Sequence, residues 1–271
     1  MAESAVRIAL LFPDLLGTYG DGGNALVLER RLAWRGRAAE IVEVPAGGAV
    51  PATADVYLLG GGEDAPQIQA ARELGDDGPV HAGVRAGGVL FAVCAGMQIA
   101  GHTFPGTDGA PIDGLGLLPC DTVRTDEPRA VGELLALPMA TPLGDDDPGI
   151  DPALVTELTG FENHGGRTRR HDGATALAQV EAGVGNGDGT EGVVARVGAG
   201  HVVGTYLHGP ALARNPGLAD QILRWIVGDD LARLTDDDTT ALRAERLDAA
   251  RRGNLDGVAH RTWRDRLLRR N

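Results

Sequence analysis

The sequence predicts an α/β fold, with a mostly parallel sheet flanked by helices, additional antiparallel strands and a C-terminal helical tail. Three observations predict it. All-apolar runs at residues 6–12, 56–59 and 89–93 read as strands buried on both faces. Segments with helical spacing alternate with them, as parallel strands joined by crossovers require. A chain of 271 residues, 43% of them hydrophobic, is long enough for one full core.

The elements follow in order. The strand at 6–12 runs into a glycine-rich loop, GTYGDGGN at 17–24, and an amphipathic helix at 25–35 stops at Gly36. Strands at 38–44 and 56–59 come next, the latter ending at Gly60, Gly61 and Gly62. Asp64 is placed to cap a helix reaching about residue 74, and a helix near 79–86 leads into the strand at 89–93. Beyond Phe104 the pattern changes to strands separated by turns, at 130–137, 155–160, 176–180, 192–197 and 200–206. Residues 183–192 read as a glycine-rich connection, 198–200 as a hairpin turn and 218–227 as a closing helix. This divides the chain into one domain over 1–228 and a helical tail over 229–271.

Composition excludes several function classes. A formal net charge of −13 argues against a nucleic-acid surface. No apolar run approaches a membrane span, and the first residues carry too short a run for a signal peptide. The two cysteines, Cys94 and Cys120, offer neither a disulfide framework nor metal-ligand spacing, which suits a reducing cytoplasm. All 25 basic residues are arginine, so a lysine-bearing phosphate loop and Schiff-base chemistry are both impossible on this chain. Any ATP the reaction needs is then expected on another polypeptide.

Cys94 is the expected nucleophile. It stands between the apolar run at 89–93 and a helix opening at Ala95 and Gly96, the strand-to-helix turn on which hydrolases present a nucleophile. The amides of that helix favour an anion there. His208, after the strand at 202–207, is the expected base and acid, placed on an exposed turn. The backbone N–H of Ala95, with one from Gly61 or Gly62, is expected to form an oxyanion hole. Both loops lie at carboxyl ends of strands, where open α/β sheets bind their ligands. Together these groups describe a cysteine hydrolase of amides.

The strings LLGGGED, VCAGMQ and GTYLHG resemble class I glutamine amidotransferases of the cobyric-acid-synthase branch. Three longer strings, GTYGDGGNALVLERR, GFENHGGRT and GTYLHGPALARNP, are similar to the glutaminase subunits of lipid II isoglutaminyl synthase. The resemblance spans residues 6–225. It implies a flavodoxin-like glutaminase that feeds ammonia to a MurT-like Mur ligase in a heterodimer. That partner would use ATP and magnesium to amidate the α-carboxylate of D-glutamate in lipid II, at the cytoplasmic face of the membrane. No cofactor or metal is implied for this chain, and lipid II would be reached through the partner.

Carried onto these residues, the resemblance makes Cys94 the nucleophile and His208 its histidine. It also implies a glutamine-binding arginine after the Cys94 helix. Arg124 and Arg129 compete for that role, and Arg129 is preferred because Gly132 and Glu133 follow it at the family spacing. A guanidinium grips a carboxylate through two parallel hydrogen bonds. One departure stands out. Many members carry a glutamate two residues after the histidine, where this chain has Pro210. Asp21, Glu162 and Asn163 remain as candidates to orient His208, or the site works as a dyad. His164 is read as structural or interfacial. The competing readings are an amidotransferase component of cobyrinate or cobyrate amidation and a non-catalytic partner-binding scaffold.

Overall fold

In a computed structural model of the chain, the described residues are 4–228, 231–235, 241, 244, 245, 247, 248 and 251. The first half is β1 (Val6–Leu11), α1 (Gly23–Ala33), β2 (Ala39–Val44), β3 (Val56–Leu59), α2 (Asp64–Leu74), α3 (Pro79–Arg85), β4 (Val89–Val93) and α4 (Ala95–Ala100). An excursion follows through β5 (Thr103–Pro105), β6 (Pro111–Asp113), β7 (Cys120–Arg124), β8 (Ala130–Pro138), β9 (Leu158–His164), β10 (Gly166–Arg170), β11 (Ala178–Ala182) and β12 (Thr190–Glu191). The chain then returns as β13 (Val193–Val197), β14 (Gly200–Thr205), α5 (Ala211–Arg214) and α6 (Pro216–Val227).

The central sheet has the order β13-β14-β4-β3-β1-β2. Its middle strands are buried along their whole length, as the apolar runs require. All pairings are parallel except the β13–β14 hairpin, which turns at Gly198 with φ +64°. Register brings the functional segments together. Leu11 pairs with Leu59, Leu59 with Ala92 and Val93 with Thr205, so four strands end along one edge. The loop after β1, the Gly60–Gly62 turn, Cys94 and the segment leading to His208 all emerge there. Helices cover both faces, and buried Arg31 of α1 clasps Asp220 of α6 at 2.6 and 2.7 Å.

Two four-stranded sheets, β10-β7-β5-β6 and β12-β11-β8-β9, carry the excursion. The first of these escapes a reading by apolar pattern. β5 and β6 have three residues each and both contain proline, while β10 is GRTRR. The strand expected at 155–160 forms instead as β9, Leu158–His164, because residues Asp151 to Val155 close into a turn. Asp64 lies inside the first turn of α2 rather than at its cap; Glu63 is the cap residue, and no side-chain hydrogen bond closes that end. Most of the expected tail falls outside the described residues. Those described from 241 to 251 are helical, Leu247 packs with Leu135 and Ala182, and Arg251 pairs with Glu157.

Candidate active site

Cys94 sits alone between β4 and α4 with φ 52° and ψ −106°, a backbone state that L-residues with a Cβ rarely occupy. Two hydrogen bonds fix this elbow. The Cys94 amide donates to Thr205 of β14 at 2.8 Å, and the Gly96 amide to Gly60 at 3.1 Å. Glycine is required at 96, because a Cβ there would lie 2.3 Å from the Leu59 carbonyl oxygen.

His208 follows β14 and is buried, 1% exposed, where the sequence suggested an exposed turn. The reason is the neighbouring sheet. His208 and Phe161 of β9 exchange backbone hydrogen bonds at 2.9 and 3.4 Å, and the ring of Tyr19 covers the imidazole at a centroid distance of 4.8 Å. Nδ1 of His208 lies 3.0 Å from Oδ2 of Asp21. A carboxylate only accepts, so Nδ1 carries a proton, and Nε2 is the nitrogen left to exchange a proton with Cys94. Nε2 makes no hydrogen bond of normal geometry with any described residue, yet the Cys94 side chain is close enough to act on the ring. Burial pulls the imidazole down, but Asp21 and Cys94 together outweigh it and raise its pKa to about 9.

Of the three residues considered for orienting His208, Asp21 alone reaches it. The Glu162 carboxylate is committed to the amides of Val184 and Gly185 at 2.8 and 2.9 Å and to His164. Asn163 is turned outward, where Oδ1 accepts from Arg129 Nε and the side-chain amide donates to the Tyr19 hydroxyl. Asp21 was singled out by shared strings but ranked by nothing in the spacing, since it stands 187 residues from His208.

The expected oxyanion donors divide. The Gly61 amide donates to Asp21 Oδ2 at 2.9 Å and is therefore occupied. Gly62 and Ala95 both line the cavity beside Cys94, and neither amide has an acceptor among the described residues. These two are the available pair.

The cavity holds about 300 Å³ and is lined by Cys94, His208, Gly62, Ala95, Gln67 and Gln98 at its base. Glu63, Asp64, Arg124, Arg129, Asn163 and His164 line it as well. Both competing arginines thus line it, and both are exposed. Arg124 pairs with Asp64 at 3.2 Å, whereas Arg129 is steadied by Asn163, including its backbone oxygen at 3.0 Å. His164 is buried and stacks on Tyr206 at 3.6 Å. Cys120 lies elsewhere, its thiol pushed up by burial to about 12. The described residues contain no His, Cys, Asp and Glu grouping suited to a metal ion, and no helix among them is long and apolar enough to cross a membrane.

Sequence comparison gives the family. The chain is 32% identical over 214 residues to the lipid II isoglutaminyl synthase (glutamine-hydrolysing) subunit GatD of Staphylococcus aureus strain N315, covering 78% of this chain and 79% of that protein. It is 31% identical over 220 residues to the subunit of the same name from Streptococcus pneumoniae, covering 80% and 79%. Cobyric acid synthase of Brucella anthropi is 33% identical over 176 residues, covering 63% of this chain but 32% of that longer protein. Residues 7–216 match the CobB/CobQ-like glutamine amidotransferase domain, and the chain belongs to that family.

Proposed function

We propose that the chain is the glutaminase subunit of a lipid II isoglutaminyl synthase. The observation that carries the reading is the disposition of His208, with Nδ1 on Asp21 and the other nitrogen free beside Cys94 at the base of a polar cavity.

The chemistry follows from those groups. His208 Nε2 takes the Cys94 proton, and the thiolate attacks the carboxamide carbon of glutamine. Negative charge gathers on the carbonyl oxygen, where the Gly62 and Ala95 amides receive it. Collapse breaks the C–N bond, the imidazolium protonates the departing nitrogen, and ammonia leaves a thioester on Cys94. Water, deprotonated by His208, then cleaves the thioester and releases glutamate. Arg129 holds the α-carboxylate, and Glu63 in the same lining offers negative charge for the α-ammonium.

Ammonia released into water is wasted, so the product passes to a second site on a MurT-like ligase. That partner binds ATP and magnesium and amidates the α-carboxylate of D-glutamate in lipid II at the cytoplasmic membrane face. The Staphylococcus and Streptococcus relatives are named as subunits, which supports a partner chain, and the absence of lysine from this chain supports placing ATP on that partner. The test is ammonia release from glutamine by the purified chain, alone and with a MurT-like ligase from the same organism. Formation of a complex of one copy each and glutamine-dependent amidation of lipid II are expected. Amidation by this chain alone, or no association at micromolar concentration, overturns the heterodimer.

A further inference from the structure

Glu191 takes no part in the chemistry above, and its side chain is wholly buried directly behind it. Its Oε1 accepts two hydrogen bonds from consecutive residues, Thr205 Oγ1 at 2.6 Å and the Tyr206 amide at 2.8 Å. Thr205 Oγ1 in turn accepts from the Leu207 amide at 3.1 Å. The carbonyl of the same Thr205 receives the Cys94 amide at 2.8 Å. One carboxylate therefore governs both the peptide from which the cysteine elbow hangs and the three residues that lead to His208.

We propose that Glu191 is a positioning residue: through Thr205 and Tyr206 it fixes the separation of Cys94 and His208. The strand it belongs to, β12, has only two residues, and a glycine-rich turn surrounds it, so nothing in the regular structure calls for an acid there. Burial without a compensating cation is expensive for a carboxyl group. Burial raises its pKa, the Thr205 and Tyr206 hydrogen bonds oppose that, and the nearby Glu162 carboxylate adds to it, leaving about 7. Oε2 has no hydrogen-bond partner among the described residues, so the group is retained for what Oε1 holds. Two hydrogen bonds converging on one buried oxygen suit a joint whose tolerance is a fraction of an ångström.

The proposal rests on Cys94 and His208 being the reacting pair, and its test does not require glutamine to be the substrate. Full-length wild type, Glu191→Gln, Glu191→Leu, Thr205→Val and Thr205→Ser are compared. The readouts are the rate of Cys94 alkylation by iodoacetamide at fixed neutral pH, the His208 titration followed by NMR of ring-labelled histidine, and near-ultraviolet circular dichroism for native packing. Glu191→Gln and Thr205→Ser keep the needed oxygens and should alkylate within about threefold of wild type, with the His208 midpoint still near 9. Glu191→Leu and Thr205→Val should alkylate about tenfold or more slowly, because small displacements of a reacting pair are heavily penalised. Their His208 midpoint should fall below the wild-type value, because the part of its rise owed to Cys94 depends on the separation of the pair. Should Glu191→Leu not fold, Thr205→Val, which is close to threonine in shape, decides. A folded Thr205→Val with wild-type alkylation and midpoint overturns the proposal, as does a folded Glu191→Gln that loses as much as Thr205→Val. Unreactive glutamine alongside the expected alkylation pattern would refute the glutaminase reading and leave this one standing.

Discussion

Asp21 and His208, 187 residues apart in the chain, meet at 3.0 Å through Oδ2 and Nδ1, and the same oxygen also receives the Gly61 amide. The residue that orients the base thus also pins the glycine turn beside the nucleophile. On the proposed function, this carboxylate from the loop after β1 orients the base, so no acid is needed at Pro210.

Replacing Asp21 by Asn removes the charge while keeping the size. Turnover of glutamine should fall about 10²-fold or more, in line with the loss of a correctly poised general base. Stability changes with pH in a definite direction. The His208 value stands above the ordinary one, at about 9 against 6.5, so its contribution is complete below 6.5 and is lost as pH rises through 9. Wild type should therefore lose melting temperature across that window relative to Asp21→Asn. Parallel pH curves for the two proteins would contradict the pairing.

Gly61 leaves no room for a side chain. A Cβ there would stand 2.6 Å from His208 Cε1 and 3.4 Å from Cys94 Cβ. The imidazole is buried and cannot step aside, so Gly61→Ala should lower kcat about 10²-fold by displacing the base. Overpacking should cost about 1–3 kcal/mol of stability. Steady-state kinetics with a thermal melt reads both, and an unchanged kcat would show that the ring has somewhere to go.

The two arginines should separate in kinetics. Arg129 is held at the cavity rim by Asn163, whereas Arg124 is engaged by Asp64. Arg129→Ala should raise KM for glutamine with a loss of about tenfold in kcat/KM, modest because the guanidinium is exposed. Arg124→Ala should change little. The opposite ranking would transfer the carboxylate contact to Arg124.

Thiol labelling should be single. Cys94 opens onto the cavity, while Cys120 is buried with its thiol pushed up to about 12. A glutamine analogue bearing a diazo ketone should add one equivalent to the native protein, mapped by mass spectrometry to Cys94. Label on Cys120 in the folded state would place the reactive centre elsewhere.

Much of this was legible in the sequence because it follows from local rules. Apolar runs and glycine turns placed β1, β3 and β4, and the Cys94 elbow lies where its strand and helix meet. Three features were not legible, for a common reason. The burial of His208, the occupation of the Gly61 amide and the choice of Asp21 over Glu162 and Asn163 are all tertiary. Each depends on which loop crosses which strand end, and no spacing along the chain encodes that. The sheet holding β5, β6, β7 and β10 was missed because its short, proline-bearing and arginine-rich strands lack an apolar alternation.

β14 pairs with β4 across more than a hundred intervening residues and enters the sheet between β4 and β13. A ribosome building this chain releases Cys94 long before the strand that anchors its amide and carries its base exists. Until β14 docks, the thiol has no proton acceptor and the glycine turn faces no imidazole. On the proposed function, hydrolysis requires the last strand of the sheet, so a nascent chain without it has no base to ready the thiol.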